Sequence, residues 1–108
     1  MSRDELCFTP ATELARAVRD KRVSPVEIAE AVLARIEALN PKLNAFCTLT
    51  AEQTLAAARA AEQAVAARKP LGPLHGIPFS VKDLVMTRGV RTMRGSKIYE
   101  HWVPEEES

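Results

Sequence analysis

Glycine is confined to one side of this chain and proline is concentrated there: all four glycines and four of the seven prolines fall within residues 70–104. Residues 9–68 are instead rich in Ala, Glu and Arg, so a helical part, about 9–68, must join a strand and loop part, about 70–104. With 108 residues the two parts share one domain's worth of polymer, and a large two-domain enzyme does not fit. An apolar fraction of 46% beside 27% charged residues is the composition of a chain that folds.

Three helix starts are legible. Thr9 as N-cap with Pro10 at the first helical position predicts a helix to about Lys21, with Leu14 and Val18 on one face. Ser24-Pro25-Val26-Glu27 is a capping box with proline at N1, in which the serine oxygen accepts an orphan N–H and the glutamate returns the favour. From there Ile28, Val32, Ile36 and Leu39 recur at helical spacing, and Asn40-Pro41 is expected to stop the helix. Thr50-Ala51-Glu52-Gln53 offers a further capping box before an alanine-rich run to Arg68, whose packing face holds Leu55, Ala58, Glu62 and Val65.

Two short strands are predicted. Ala45–Leu49 has the length and side-chain types of one, and Ile77–Lys82 alternates Ile77, Phe79 and Val81 on one face with Ser80 and Lys82 on the other. Two such strands leave open sheet edges, which natural domains pair, cover or charge, so the sequence looks incomplete as an autonomous fold. Glu105–Ser108 reads as a loose end.

Composition also narrows the chemistry. Fifteen Lys and Arg against fourteen Asp and Glu give a net charge of +1, which supplies no bulk field for nucleic acid or an anionic membrane. Cys7 and Cys47, without a C-x-x-C or a neighbouring histidine, read as reduced thiols rather than a disulfide or zinc site. The acidic residues near Met1 do not suit a signal peptide, no segment has the length of a membrane span, and the expected location is cytoplasmic. His75 reads as a loop donor and His101 as a surface residue, because neither has metal-ligand spacing or an acid partner. Ser96 reads as a turn hydroxyl, and Arg88, Arg91, Arg94 and Lys97 as a solvated loop or an anion contact.

Lys82 is the candidate catalytic residue. It ends an apolar strand, the place where open α/β sheets handle ligands, and burial there would disfavour its ammonium form and free the amine as a general base. The competing reading is a strand-end lysine reaching water. Ser80 lies on the same strand face, but two strand residues separate Cα atoms by roughly 6.6 Å, so direct proton transfer between them needs a bridge.

The run Gly72-Pro73-Leu74-His75-Gly76-Ile77-Pro78-Phe79-Ser80-Val81-Lys82-Asp83, followed by Gly89-Val90-Arg91-Thr92-Met93-Arg94-Gly95-Ser96, closely resembles the amidase signature family near its catalytic lysine. Ser24-Pro25-Val26-Glu27, Arg35-Ile36 and Asn44-Ala45-Phe46 resemble that family's N-terminal helices and first strand. The resemblance implies an α/β fold: N-terminal helices plus the first strands of a central mixed sheet wrapped by helices, incomplete in this chain. Residues 1–108 would then be the N-terminal portion of a single amidase domain.

It further implies hydrolysis of amide carbon–nitrogen bonds by a Ser–cis-Ser–Lys triad, in which Lys82 would activate the nucleophilic serine through a bridging serine. The family's glycine- and serine-rich segment, which supplies both serines and the oxyanion hole, is not among these 108 residues, so the segment alone is expected to be inactive. No cofactor and no metal is implied. The implied partners are a small-molecule amide substrate and the remainder of the amidase domain, with no nucleic acid and no membrane, and homo-oligomerisation is left open.

Within the family, the A subunit of a tRNA-dependent amidotransferase, which releases ammonia from glutamine, is the alternative. Lys82-Asp83-Leu84 leans away from it, since that subunit commonly shows asparagine after the lysine-aspartate pair. A reading of another class is a non-catalytic helical module that packs an exposed Ile28, Val32 and Ile36 stripe on a partner.

Overall fold

Serine caps open two of the four helices of this chain. The computed structural model describes all of residues 1–108 and contains α1 (Arg3–Phe8), α2 (Ala11–Arg19), α3 (Pro25–Leu43) and α4 (Ala51–Ala66), then a long irregular segment with one 3-10 turn at Lys97–Tyr99. The expected capping box at Ser24 is formed: Ser24 Oγ accepts from the Val26 amide at 3.0 Å, and the Ser24 amide donates to Glu27 Oε1 at 3.2 Å. An identical device opens α1, where Ser2 Oγ accepts from the Glu5 amide at 3.1 Å and Glu5 Oε2 accepts from the Ser2 amide at 3.3 Å. That first helix is not among the three expected starts, although the Ser-x-x-Glu spacing at Ser2 could have supplied it.

The extra helix changes the role of Thr9. It is the C-cap of α1, and its hydroxyl donates to the Glu5 carbonyl, while Pro10 stands as N-cap of α2 with no side-chain bond. Extended backbone at Thr9, with ψ of 133°, is what a following proline demands. At Thr50 the helix start is as expected but the capping box is not made. With ψ of 58° the threonine turns its hydroxyl toward Thr54 Oγ1, 3.4 Å away, instead of the first-turn amides.

Helix ends also depart from expectation at one point. Asn40-Pro41 does not stop α3, which runs through Pro41 to Leu43. Proline there forfeits one hydrogen bond, toward a carbonyl on a solvent-facing stretch, and its fixed φ suits a helix. Asn44 ends the helix instead, in the left-handed conformation with φ of 51°. Asn40 is used differently: its side chain clips Phe46 twice, accepting from the Phe46 amide at 2.9 Å and donating to the Phe46 carbonyl at 3.1 Å. The ends of α2 and α4 are both Schellman closures, with Arg22 N–H on Ala17 O and Lys69 N–H on Ala64 O, and with Lys21 and Arg68 at positive φ.

α3 is the central element, packing against α1 and α4. Leu14 and Val18 of α2, both buried as their spacing predicts, meet Leu6, Ala17, Val23, Ile28 and Ala31 in one cluster. Ile28 is 0% exposed, so the Ile28, Val32 and Ile36 stripe is not the free docking face the sequence suggested; its first residue is the centre of the core. Gly76 seals the junction between the 73–77 turn and α3. Its φ is +81°, and a Cβ there would lie 2.7 Å from Pro25 Cγ, so only glycine fits. The core is thin, with 13 of 108 residues buried, and large apolar surface stays in water.

The expected strands do not form. Ala45–Leu49 and Ile77–Lys82 are in no ladder, and the chain contains no sheet. A strand is stabilised by the neighbour that pairs with its amides and carbonyls, and neither segment has one here. Phe79, expected on a buried face, is 87% exposed as a result.

The C-terminal segment is held rather than loose. Thr92 N–H donates to Trp102 O, Gly89 N–H to Pro104 O and Ser108 N–H to Met86 O, so residues 102–108 run back along 86–92. Ser108 Oγ accepts from the Met86 amide at 2.7 Å, which corrects the reading of Glu105–Ser108 as a free end.

Candidate functional site

Apolar side chains from both halves of the chain face one another across a groove of about 870 Å³. Val32 and Ile36 of α3 and Ala58 of α4 form one wall, and Leu49, Ile77 and Val81 belong to the other. The groove runs along the two segments whose composition predicts strands, with Ser80, Lys82 and Asp83 among its lining residues.

Lys82 therefore sits at the rim of an apolar groove, exposed to water. Its Nζ makes no hydrogen bond and no ion pair, and its carbonyl accepts from the Val85 amide at 3.0 Å. The burial expected for a general base is thus not provided by these residues themselves. That expectation assumed a strand within a covered sheet, and the sheet is absent. Asp83 is half-buried, and its Oδ1 accepts from the Met93 amide at 3.0 Å, tying the lysine segment to the next turn.

The serines can be sorted by what their hydroxyls do. Ser2, Ser24, Ser96 and Ser108 each accept from a backbone amide, at Glu5, Val26, Ile98 and Met86 respectively. Ser96 is the turn hydroxyl that its sequence context predicts. Only Ser80 has no such bond, and it is exposed beside Lys82 without contacting it.

His75 is a loop donor, as expected. Its Nε2 lies 2.9 Å from the Ala61 carbonyl, and since a carbonyl can only accept, that nitrogen carries the proton. His101 is exposed. Among the basic residues at threefold spacing, two have structural jobs that the sequence did not reveal. Arg91 reaches Thr48 Oγ1 at 3.1 Å, Cys47 O at 2.6 Å and Glu100 O at 3.2 Å. Arg94 lies over Trp102, 5.3 Å from the ring centroid, and 6.0 Å from that of Tyr99. The planar fork of arginine suits the three-way contact, whereas periodicity alone carries no information about such partners. Cys7 and Cys47 are free thiols, and no helix is long and apolar enough to cross a membrane.

This arrangement presents an amine, an apolar groove and, at residues 79–82, backbone amides without a protein acceptor. No hydroxyl is bonded to the Lys82 amine.

Comparison with known proteins supplies a context for these features. Residues 27–108 match the family model described as Amidase. The A subunit of glutamyl-tRNA(Gln) amidotransferase from Geobacter metallireducens is 48% identical over 92 residues, which is 85% of this chain and 19% of that protein. Its counterpart from Alkalilimnicola ehrlichii is 50% identical over 90 residues, 83% of this chain and 18% of the relative. A solved structure from a vestigial protein complex, tied to the origins of an s-triazine catabolic enzyme, superposes with a TM-score of 0.85 at 32% identity. That match covers 92% of this chain and 22% of the other. The chain spans about a fifth of the length of the curated relatives it matches.

Proposed function

Since this chain belongs to the amidase family, we propose that it serves amide-bond hydrolysis by acyl transfer, with Lys82 as general base, once the remainder of an amidase domain covers its groove. The observation that carries the reading is the family match across residues 27–108, which includes the Lys82 motif. The groove supports it physically: about 870 Å³ of largely apolar space beside backbone amides that have no protein acceptor suits a covering polypeptide.

In this mechanism a serine hydroxyl attacks the amide carbonyl, and its proton passes through a bridging serine to the Lys82 amine. The tetrahedral intermediate then collapses: the C–N bond breaks as the proton held by Lys82 returns through the bridging serine to the leaving nitrogen, and water, giving its proton up by the same route, cleaves the acyl-enzyme to the acid and the free serine. Both serines and the oxyanion donors belong to the covering polypeptide. Removal of water from around Lys82 favours the neutral amine that accepts the proton. Residues 1–108 contribute the base, one wall of the site and the turn that holds the base.

Curated relatives favour a more specific version, in which the amide is that of glutamine and the assembly is a tRNA-dependent amidotransferase, since the A subunit of such an enzyme matches at 48% identity. Leu84, directly after Lys82-Asp83, leans the other way. The helical-module reading loses Ile28, which is inside the core, and keeps Val32 and Ile36, which line the groove.

A graft tests the proposal. Residues 1–108, fused ahead of the non-matching remainder of the Geobacter metallireducens relative and supplied with that protein's own assembly partners, are expected to restore amide hydrolysis, followed as ammonia release from glutamine. A folded, assembled graft that releases no ammonia would contradict it.

A further inference from the structure

The chain reaches Lys82 from its helices through one docked turn, residues 72–77. Arg19 Nη2 donates to the Gly72 carbonyl at 3.1 Å, Gly76 lies against Pro25 at the start of α3, and Ile77 packs on the buried cluster around Ile28. Beyond the turn, the amides of Phe79, Ser80, Val81 and Lys82 donate to no protein acceptor, and the next tie is at Asp83, with residues 93 and 94. The placement of the lysine relative to the helices therefore depends on how the turn is seated.

One side-chain bond seats it on α4. His75 carries the only polar side chain of residues 72–77, and its Nε2 lies 2.9 Å from the carbonyl of Ala61, which lines the same groove as Lys82. The helix does not need this donor. Ala61 is inside α4, where its carbonyl accepts within the helix ladder, because only the carbonyls of the last turn are left open. The imidazole takes up that oxygen's second lone pair, so the bond serves the turn rather than the helix.

We infer that His75 is a positioning residue for Lys82: its N–H bond to Ala61 sets the separation between the α4 wall of the groove and the segment that carries the amine. The inference rests on the general-base reading of Lys82. Both the neutral ring in this tautomer and the imidazolium carry a proton on Nε2, so the seat holds whether or not His75 is charged. What the position demands is a donor at that point, which the side-chain amide of glutamine also supplies.

Two substitutions separate the bond from the bulk of the ring. His75→Leu keeps a side chain of moderate size without a donor, and His75→Gln keeps the donor. In the grafted enzyme, His75→Leu is expected to lower kcat by about 10²-fold with KM within about threefold, the size of loss that follows a small misplacement of a reacting group, while His75→Gln stays within about fivefold of the parent. A His75→Leu enzyme with kcat within about threefold of the parent, a loss confined to KM, or a His75→Gln enzyme as impaired as His75→Leu would overturn the inference. The 108-residue chain gives a second readout that needs no assembly. The Ile77 amide donates to Leu74 O at 3.1 Å within the turn, and its hydrogen exchange should quicken in His75→Leu and stay parent-like in His75→Gln. Equal exchange in all three chains would likewise count against the seat. Lys82→Met is the control for the underlying reading. If it retains the parent turnover, the base assignment fails and this one with it; if it is inactive while His75→Leu is fully active, only the role of His75 fails.

Discussion

Arg91 shows how much one side chain organises in a chain without a sheet. Its guanidinium bonds Thr48, Cys47 and Glu100, joining the segment before α4 to the C-terminal loop. Hydrogen bonds involving a charged group each contribute about 1.5–3 kcal/mol when well formed, and part of that is lost to solvent at a half-buried site. Arg91→Ala is expected to lower stability by about 2 kcal/mol, read as a fall in the urea midpoint, with Arg91→Lys recovering only part because an ammonium cannot span three acceptors. Equal midpoints for Arg91→Ala and the parent would remove the arginine from this role. The sequence places Arg91 in a threefold basic pattern, and the pattern is uninformative, because its partners at residues 47 and 48 lie far away along the chain. His75 and Ser96 are legible for the opposite reason, since loop composition alone favours a local backbone partner for such residues.

At the scale of elements, helices are readable and strands are not. A helix satisfies its amides within its own residues, so a cap and an apolar period announce it locally, as at Ser24 and along Ile28 and Val32. A strand needs a neighbour, and the alternation in Ile77–Lys82 says only which faces a sheet would use. α1 is hard to see because a six-residue helix has too few positions to show a period, although its Ser2 cap is of the same kind as that at Ser24. The Ser24 cap also bonds across elements, its hydroxyl donating to Glu62 Oε1 of α4 at 2.9 Å. Ser24→Ala is accordingly expected to cost about 1 kcal/mol for the cap, with Ser24→Asn recovering most of it and Ser24→Asp less, because its carboxylate would face Glu62 without a proton to donate. Chemical denaturation of the three variants checks this, and an unchanged midpoint in Ser24→Ala would show that the cap does not contribute.

Taken as a whole, the molecule is a helical corner whose α3 and α4 face the irregular C-terminal half across an open groove. Its 870 Å³ groove, with the exposed Phe79 and Val81 among the lining residues, is the face where the family's remaining polypeptide is proposed to pack. Four of the five serines are committed to backbone amides, and the fifth, Ser80, makes no hydrogen bond with Lys82. The purified 108-residue chain is expected to hydrolyse no simple aliphatic or aromatic amide; steady turnover that disappears on substituting Ser80 would contradict this.

The central claim is that Lys82 takes a proton, and the paired substitutions Lys82→Arg and Lys82→Met in the grafted enzyme test it most directly. Arginine keeps the positive charge and comparable length but does not deprotonate in proteins, and methionine keeps the apolar stem without a basic atom. General-base catalysis contributes about 10²–10⁴-fold, so kcat/KM should fall by at least about a hundredfold in both variants while the thermal midpoint stays close to the parent's. Retention of more than about a tenth of the parent kcat/KM by Lys82→Arg would contradict the account, leaving Lys82 as a rim lysine that reaches water.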